Sequence, residues 1–133
     1  MALVYIGCYQ RTATISQAVE ILSGKGHQVE IFHTGQLLIA RIEEKAPTVL
    51  FLPLFFKGGL LCIDVIERTR ELLKMNNCQI GLFAIMKEDG APSISWLPGD
   101  IHFYLLEPFT PMQIACAAEF LIYRKIEFRG DVP

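Results

Sequence analysis

A chain of 133 residues is long enough to bury one sizeable core and short for two domains. Its 52% hydrophobic content argues against disorder, and 12 basic against 14 acidic side chains, a net charge of -2, offer no positive field to nucleic acid. MALVYIGCYQ has no basic leader region, and no apolar run approaches the roughly 20 residues of a membrane helix, so neither a signal peptide nor a membrane span is expected.

Residues 3–7 form a short apolar run and predict the first strand. After a loop through Cys8 and Arg11, Thr12 or Thr14 is placed to cap a helix. Ile15, Ala18, Val19 and Leu22 then share one helical face, and Gly24 and Gly26 close it. Residues 29–33 alternate as an edge strand broken by Thr34-Gly35. Residues 36–45 are a second helix, stopped by Pro47. The run around Val49, Leu50, Phe51 and Leu52 is apolar throughout, so it predicts a strand buried on both faces. That requires helices on both sides of a parallel sheet.

Residues 60–75 predict a third helix, with Cys62, Val65, Ile66, Thr69, Leu72 and Leu73 inward and Asp64, Glu67 and Arg68 in solvent ion pairs. Residues 79–85 are the fourth strand. Residues 87–100 carry Gly90, Pro92, Pro98 and Gly99 where a further helix belongs, which predicts a loop with at most one helical turn. Residues 101–106 are the fifth strand and 112–125 the last helix, with Pro111 in its first turn. The domain is expected to span 1–126, with 127–133 a tail or linker. The expected fold is α/β and flavodoxin-like: a three-layer sandwich around a five-stranded parallel sheet in order 2-1-3-4-5, its fourth helix short or missing.

Cys8, Cys62, Cys78 and Cys116 show no metal-ligand spacing, which suits a reducing cytoplasm. His27, His33 and His102 are scattered, and no metal site is expected. In such sheets function sits past the carboxyl ends of the strands. After the central strand that position holds Pro53, Leu54, Phe55 and Phe56, none of which ionises.

Tyr104-Leu105-Leu106-Glu107-Pro108-Phe109 resembles the receiver domain of two-component response regulators, whose fifth strand closes in a Lys-Pro-Phe-like turn. Thr110-Pro111-Met112-Gln113 continues in the same manner, and Gly99-Asp100 precedes the strand as a Gly-Ala-Asp-like turn does. The run 47–52 looks like the receiver's third strand, and Lys57-Gly58-Gly59 like the loop after it. The resemblance covers nearly the whole chain. It implies a bacterial, cytoplasmic signalling domain of the phosphorelay type.

The departures from that family fall on its chemistry. Gly7 and Cys8 stand where the resemblance implies a magnesium-binding acidic pair. Pro53 stands for the phosphoacceptor aspartate, Ala84 or Ile85 for the Ser or Thr, and Glu107 for the lysine. Phosphoryl transfer needs a metal site, a carboxylate nucleophile and a cation. All are missing together, so the resemblance implies a pseudo-receiver that is not an enzyme and uses no metal or cofactor.

The interaction surface expected from the family is the loop 87–100, the fifth strand and the last helix, with Trp96, Tyr104, Phe109 and Met112 offered to a protein partner or to a second copy. The plain reading of these aromatics is core filling. No direct nucleic-acid or membrane contact is expected. Two other readings stay open. Cys8 precedes a helix N-terminus that would lower a thiol pKa, as in the sugar phosphotransferase IIB domains that it resembles in placement, so a phosphocarrier or thiol enzyme is one. The other is a small-ligand sensor with a pocket lined by Tyr9, Pro53, Phe55 and Ile85. Arg11 and Lys57 are expected near that pocket.

Overall fold

The computed structural model describes residues 2–85 and 101–130, and their side chains except at 84–85 and 124–130. The elements run β1 (Leu3–Gly7), α1 (Ala13–Gly24), β2 (Gln28–Phe32), α2 (Gly35–Glu44), β3 (Val49–Leu52), α3 (Cys62–Met75), β4 (Gln79–Ile85), β5 (Phe103–Glu107) and α4 (Pro111–Gly130). The five strands form one sheet in the order β2-β1-β3-β4-β5, with every neighbouring pair parallel. This is the flavodoxin-like order expected. The expected loop at 87–100 and the short or missing helix lie outside the described residues, as does Trp96.

The side-chain period of two sorts the core into two layers. Val4, Ile6, Val49 and Phe51 pack on one side with Ile15, Ala18 and Leu22 of α1 and Ile114, Ala118 and Leu121 of α4. Tyr5, Leu50 and Leu52 pack on the other with Leu38 and Ile42 of α2 and Val65 and Ile66 of α3. All four residues of β3 are fully buried, which is why that stretch contains no polar residue. Phe51 needs a glycine opposite it on β4. A Cβ on Gly81 would lie 2.7 Å from the Phe51 ring, and that ring stacks on Phe83 at 5.4 Å.

The ends of the elements correct several expectations. Thr34 does not merely break the second strand. Its hydroxyl accepts from Leu37 N at 3.3 Å and caps α2. The third helix begins at Cys62 and not at 60, because Phe56 N donates to Leu60 O and residues 55 and 61 form an antiparallel bridge. Asp64 leaves the solvent ion pairs expected of it and accepts from Leu61 N at 2.8 Å, closing the start of α3. The fifth strand runs from Phe103 through Glu107, two residues later at its start than expected, and Glu107 pairs with Ile85. The last helix continues to Gly130, past the end expected at 125.

Candidate functional site at the carboxyl end of the sheet

The connections after β1, β3 and β5 meet at the carboxyl end of the sheet. They enclose an open cleft of about 690 Å³ lined by Cys8, Tyr9, Pro53, Phe55, Glu107 and Phe109 among others. The sheet order brings these together, because β1 and β3 are neighbours and β5 lies one strand beyond β4. Four of the five positions that the receiver resemblance assigned to phosphoryl chemistry, Gly7, Cys8, Pro53 and Glu107, therefore gather at one end of the sheet. Ala84 pairs with Leu106 in the same layer, and its side chain is outside the described set, as is that of Ile85.

The space beside Gly7 is filled. A Cβ there would lie 2.7 and 2.8 Å from the Cε1 and Cζ atoms of Phe56 and 3.0 Å from Cδ of Pro53. Phe56 is 1% exposed and belongs to the core layer of α2 and α3. It is turned inward by a tight return of the chain, in which Gly58 and Gly59 adopt φ of 90° and 97° and Phe56 N donates to Leu60 O at 2.8 Å. Only glycine occupies such a torsion without strain. Sequence reasoning counted Phe56 among the groups that cannot ionise and missed this role. The paired glycines two residues later were the available signal.

Cys8 is buried, with its backbone N donating to Phe32 O at 2.9 Å. Burial pushes its thiol pKa up, against the smaller opposing fields of Arg11 and Lys57. This is opposite to the lowering anticipated from the helix that follows. That helix starts at Ala13, and its N-cap Thr12 already accepts from Ile15 N at 3.2 Å. The imidazole of His33 lies close, with Nδ1 at 3.0 Å from the Cys8 carbonyl oxygen and 3.7 Å from its Sγ. A carbonyl only accepts, so Nδ1 carries the proton and has no lone pair to take one from the thiol. Cys8 and His33 touch without forming a nucleophile and base.

The two cations expected near the pocket are held at its edge. Arg11 Nε donates to Ser16 Oγ at 2.8 Å, and Lys57 Nζ sits 5.7 Å from the centroid of the Tyr9 ring. Tyr9 in turn meets Phe55 edge-on at 5.4 Å. Glu107 ends β5 and is followed by a cis peptide to Pro108. Phe109, expected on the partner surface, turns inward and stacks on Phe83 at 4.9 Å. Its ring continues the Phe51–Phe83 stack, which is the core-filling role weighed against the surface one. Tyr104 and Met112, named for the same surface, are exposed. His27 and His33 flank β2 and His102 precedes β5, and among the described residues no three potential ligands gather for a metal.

No protein-family model and no curated protein matches the chain. Solved structures do match it. A CheY-like response regulator receiver domain from Methanospirillum hungatei aligns with a TM-score of 0.73 at 17% identity, over 92% of this chain and 94% of that one. A two-component response regulator from Clostridium difficile aligns with a TM-score of 0.70 at 17% identity, over 95% and 98%. NtrX from Brucella abortus aligns with a TM-score of 0.71 at 16% identity over 97% of this chain, which spans 28% of the length of NtrX. The chain thus has the fold of response regulator receiver domains. No helix among the described residues is long and apolar enough to cross a membrane.

Proposed function

We infer that this chain is a receiver-like signalling module that works without aspartyl phosphorylation and acts by docking to another protein chain. The fold supports the signalling class, and the filled space beside Gly7, with Pro53 and Glu107 around it, supports the loss of phosphoryl chemistry. The observation that carries the docking reading is an unburied stripe on α4. Met112, Phe120 and Tyr123 are 55%, 52% and 55% exposed at near-helical spacing, with Cys116 exposed between them. Large apolar groups at this density on one helix face mark interaction surfaces more often than solvent faces.

The stripe borders the sheet edge, since the Phe120 and Phe103 rings lie 5.9 Å apart. Across that edge Tyr104 and Leu106 are also exposed, on the sheet face opposite to Phe103 and Leu105. The exposed side chains named here carry no charge and suit pairing with a second copy, in which each stripe meets itself about a twofold axis. Another signalling protein presenting an apolar helix is the other partner class. The setting is bacterial phosphorelay signalling in the cytoplasm, and no catalytic step is assigned.

Sedimentation velocity over a concentration series tests this reading. Self-association that Phe120→Asp abolishes, without lowering the melting temperature, supports it. A chain that stays monomeric throughout, or a dimer indifferent to Phe120→Asp and Met112→Asp, removes the twofold form.

A further inference from the structure

We propose that the cleft at the carboxyl end of the sheet binds a fused-ring aromatic molecule, which stacks as the next member of a series of rings that starts in the core. Phe51 of β3 is fully buried, and the Phe83 ring of β4 lies 5.4 Å from it with 6° between their planes. Phe109 follows Phe83 at 4.9 Å and 23°. Burial falls along the series: Phe51 is 0% exposed, Phe83 7%, and Phe109 is half-buried. Phe83 and Phe109 both line the cleft, so the series runs outward and ends there as a preformed aromatic wall. Rings fixed in place need little ordering when a ligand stacks on them.

The connections after β1 and β3 add a second aromatic pair to the lining. Tyr9 and Phe55 meet edge-on at 5.4 Å, and they are 47% and 51% exposed. The neighbouring Phe56 is 1% exposed, so the chain buries one ring of this pair of residues and leaves the other at the cleft. A ligand between the two pairs would cover apolar area that the fold itself leaves open. A volume of about 690 Å³ falls within the range of small-molecule sites and accommodates a frame of two or three fused rings. Flat frames are preferred to saturated ones of the same size, because ring stacking adds to what area burial alone supplies. The residues that line the cleft are not those of the α4 stripe, so this site and the docking surface stand or fall separately.

The test is a titration of the full chain with 2-naphthol and with decahydro-2-naphthol, the same alcohol on a saturated, puckered frame, followed by amide NMR shifts. Expected are saturable shifts at Cys8, Tyr9, Leu54, Phe55, Glu107 and Phe109, with the naphthol bound about fivefold more tightly than its saturated counterpart. Phe109→Leu keeps apolar bulk but removes the last ring of the series, and should bring the two affinities together. Thr14→Trp, which fills the cleft from the first turn of α1, should remove binding of both. Phe120→Asp should leave both unchanged. Absence of saturable shifts, equal or tighter binding of the saturated alcohol, selectivity that survives Phe109→Leu, or binding that survives Thr14→Trp would each overturn the assignment. Loss of binding on Phe120→Asp would do the same, by moving the site to the α4 stripe.

Discussion

Gly7 shows how a single side chain of hydrogen leaves room for a neighbouring ring. Its torsion is ordinary, so glycine is needed there for space alone: the Phe56 ring takes the volume into which any side chain would project. Gly7→Ala should destabilise the fold by about 1–3 kcal/mol, as overpacking does elsewhere. Combining it with Phe56→Leu should cost less than the two changes summed, because the pair share one space. Urea denaturation of the four proteins measures this coupling, and strict additivity would show that the ring and the glycine are not competing.

The buried ionisable groups make a second prediction at this scale. Burial raises the thiol pKa of Cys8 and Cys62, and burial raises the Tyr5 phenol against the opposing Arg41 guanidinium. The folded chain holds these protons more tightly than the unfolded one. The resulting stability is complete below the ordinary thiol value of about 8.5 and is lost as pH rises through the folded values. The melting temperature should therefore fall above a pH of about 8.5, and less steeply in the Cys8→Ala, Cys62→Ala double variant. An equal slope in both proteins would place the loss elsewhere.

Among the elements, the strands were the most legible. β3 announced itself because a strand buried on both faces excludes every polar residue, and its four side chains are all buried. The helix faces followed from periodicity for the same reason: Ile15, Ala18 and Leu22 of α1 are buried as spaced. The element starts were less legible, since a hydroxyl or carboxylate reads alike as a breaker, a solvent group or a cap. Thr34 and Asp64 were both caps. At α4 the sequence signal Thr110-Pro111-Met112-Gln113 holds a reciprocal pair, with Thr110 N donating to Gln113 Oε1 at 2.7 Å and Gln113 N to Thr110 Oγ1 at 3.1 Å. Thr34→Ala should cost about 1 kcal/mol of stability, and Thr34→Ser should recover most of it in the same urea titration.

For the whole molecule, the alternation of strands and helices and the right hand of parallel crossovers lead to the sheet order. The candidate site was legible only as a set of positions lacking the family's charges, with the carboxylate of Glu107 in place of a cation. Which residue fills the space, and that Phe109 closes an aromatic wall while Tyr104 stays outside, depends on the return of the chain through Gly58 and Gly59 and on contacts between β4 and the start of α4. Such packing has no period for a sequence to display. The proposed absence of phosphorylation rests on the groups at the carboxyl end of the sheet. Here Pro53 offers no nucleophile, Gly7 no room for a carboxylate and Glu107 a repelling charge.

The most direct test of that account is an amide NMR titration with magnesium and beryllofluoride, a mimic of the phosphoryl group. The account predicts unchanged positions for Gly7, Cys8, Leu54 and Glu107. Saturable, magnesium-dependent shifts at those residues would contradict it and would require another group in the cleft to accept the phosphoryl.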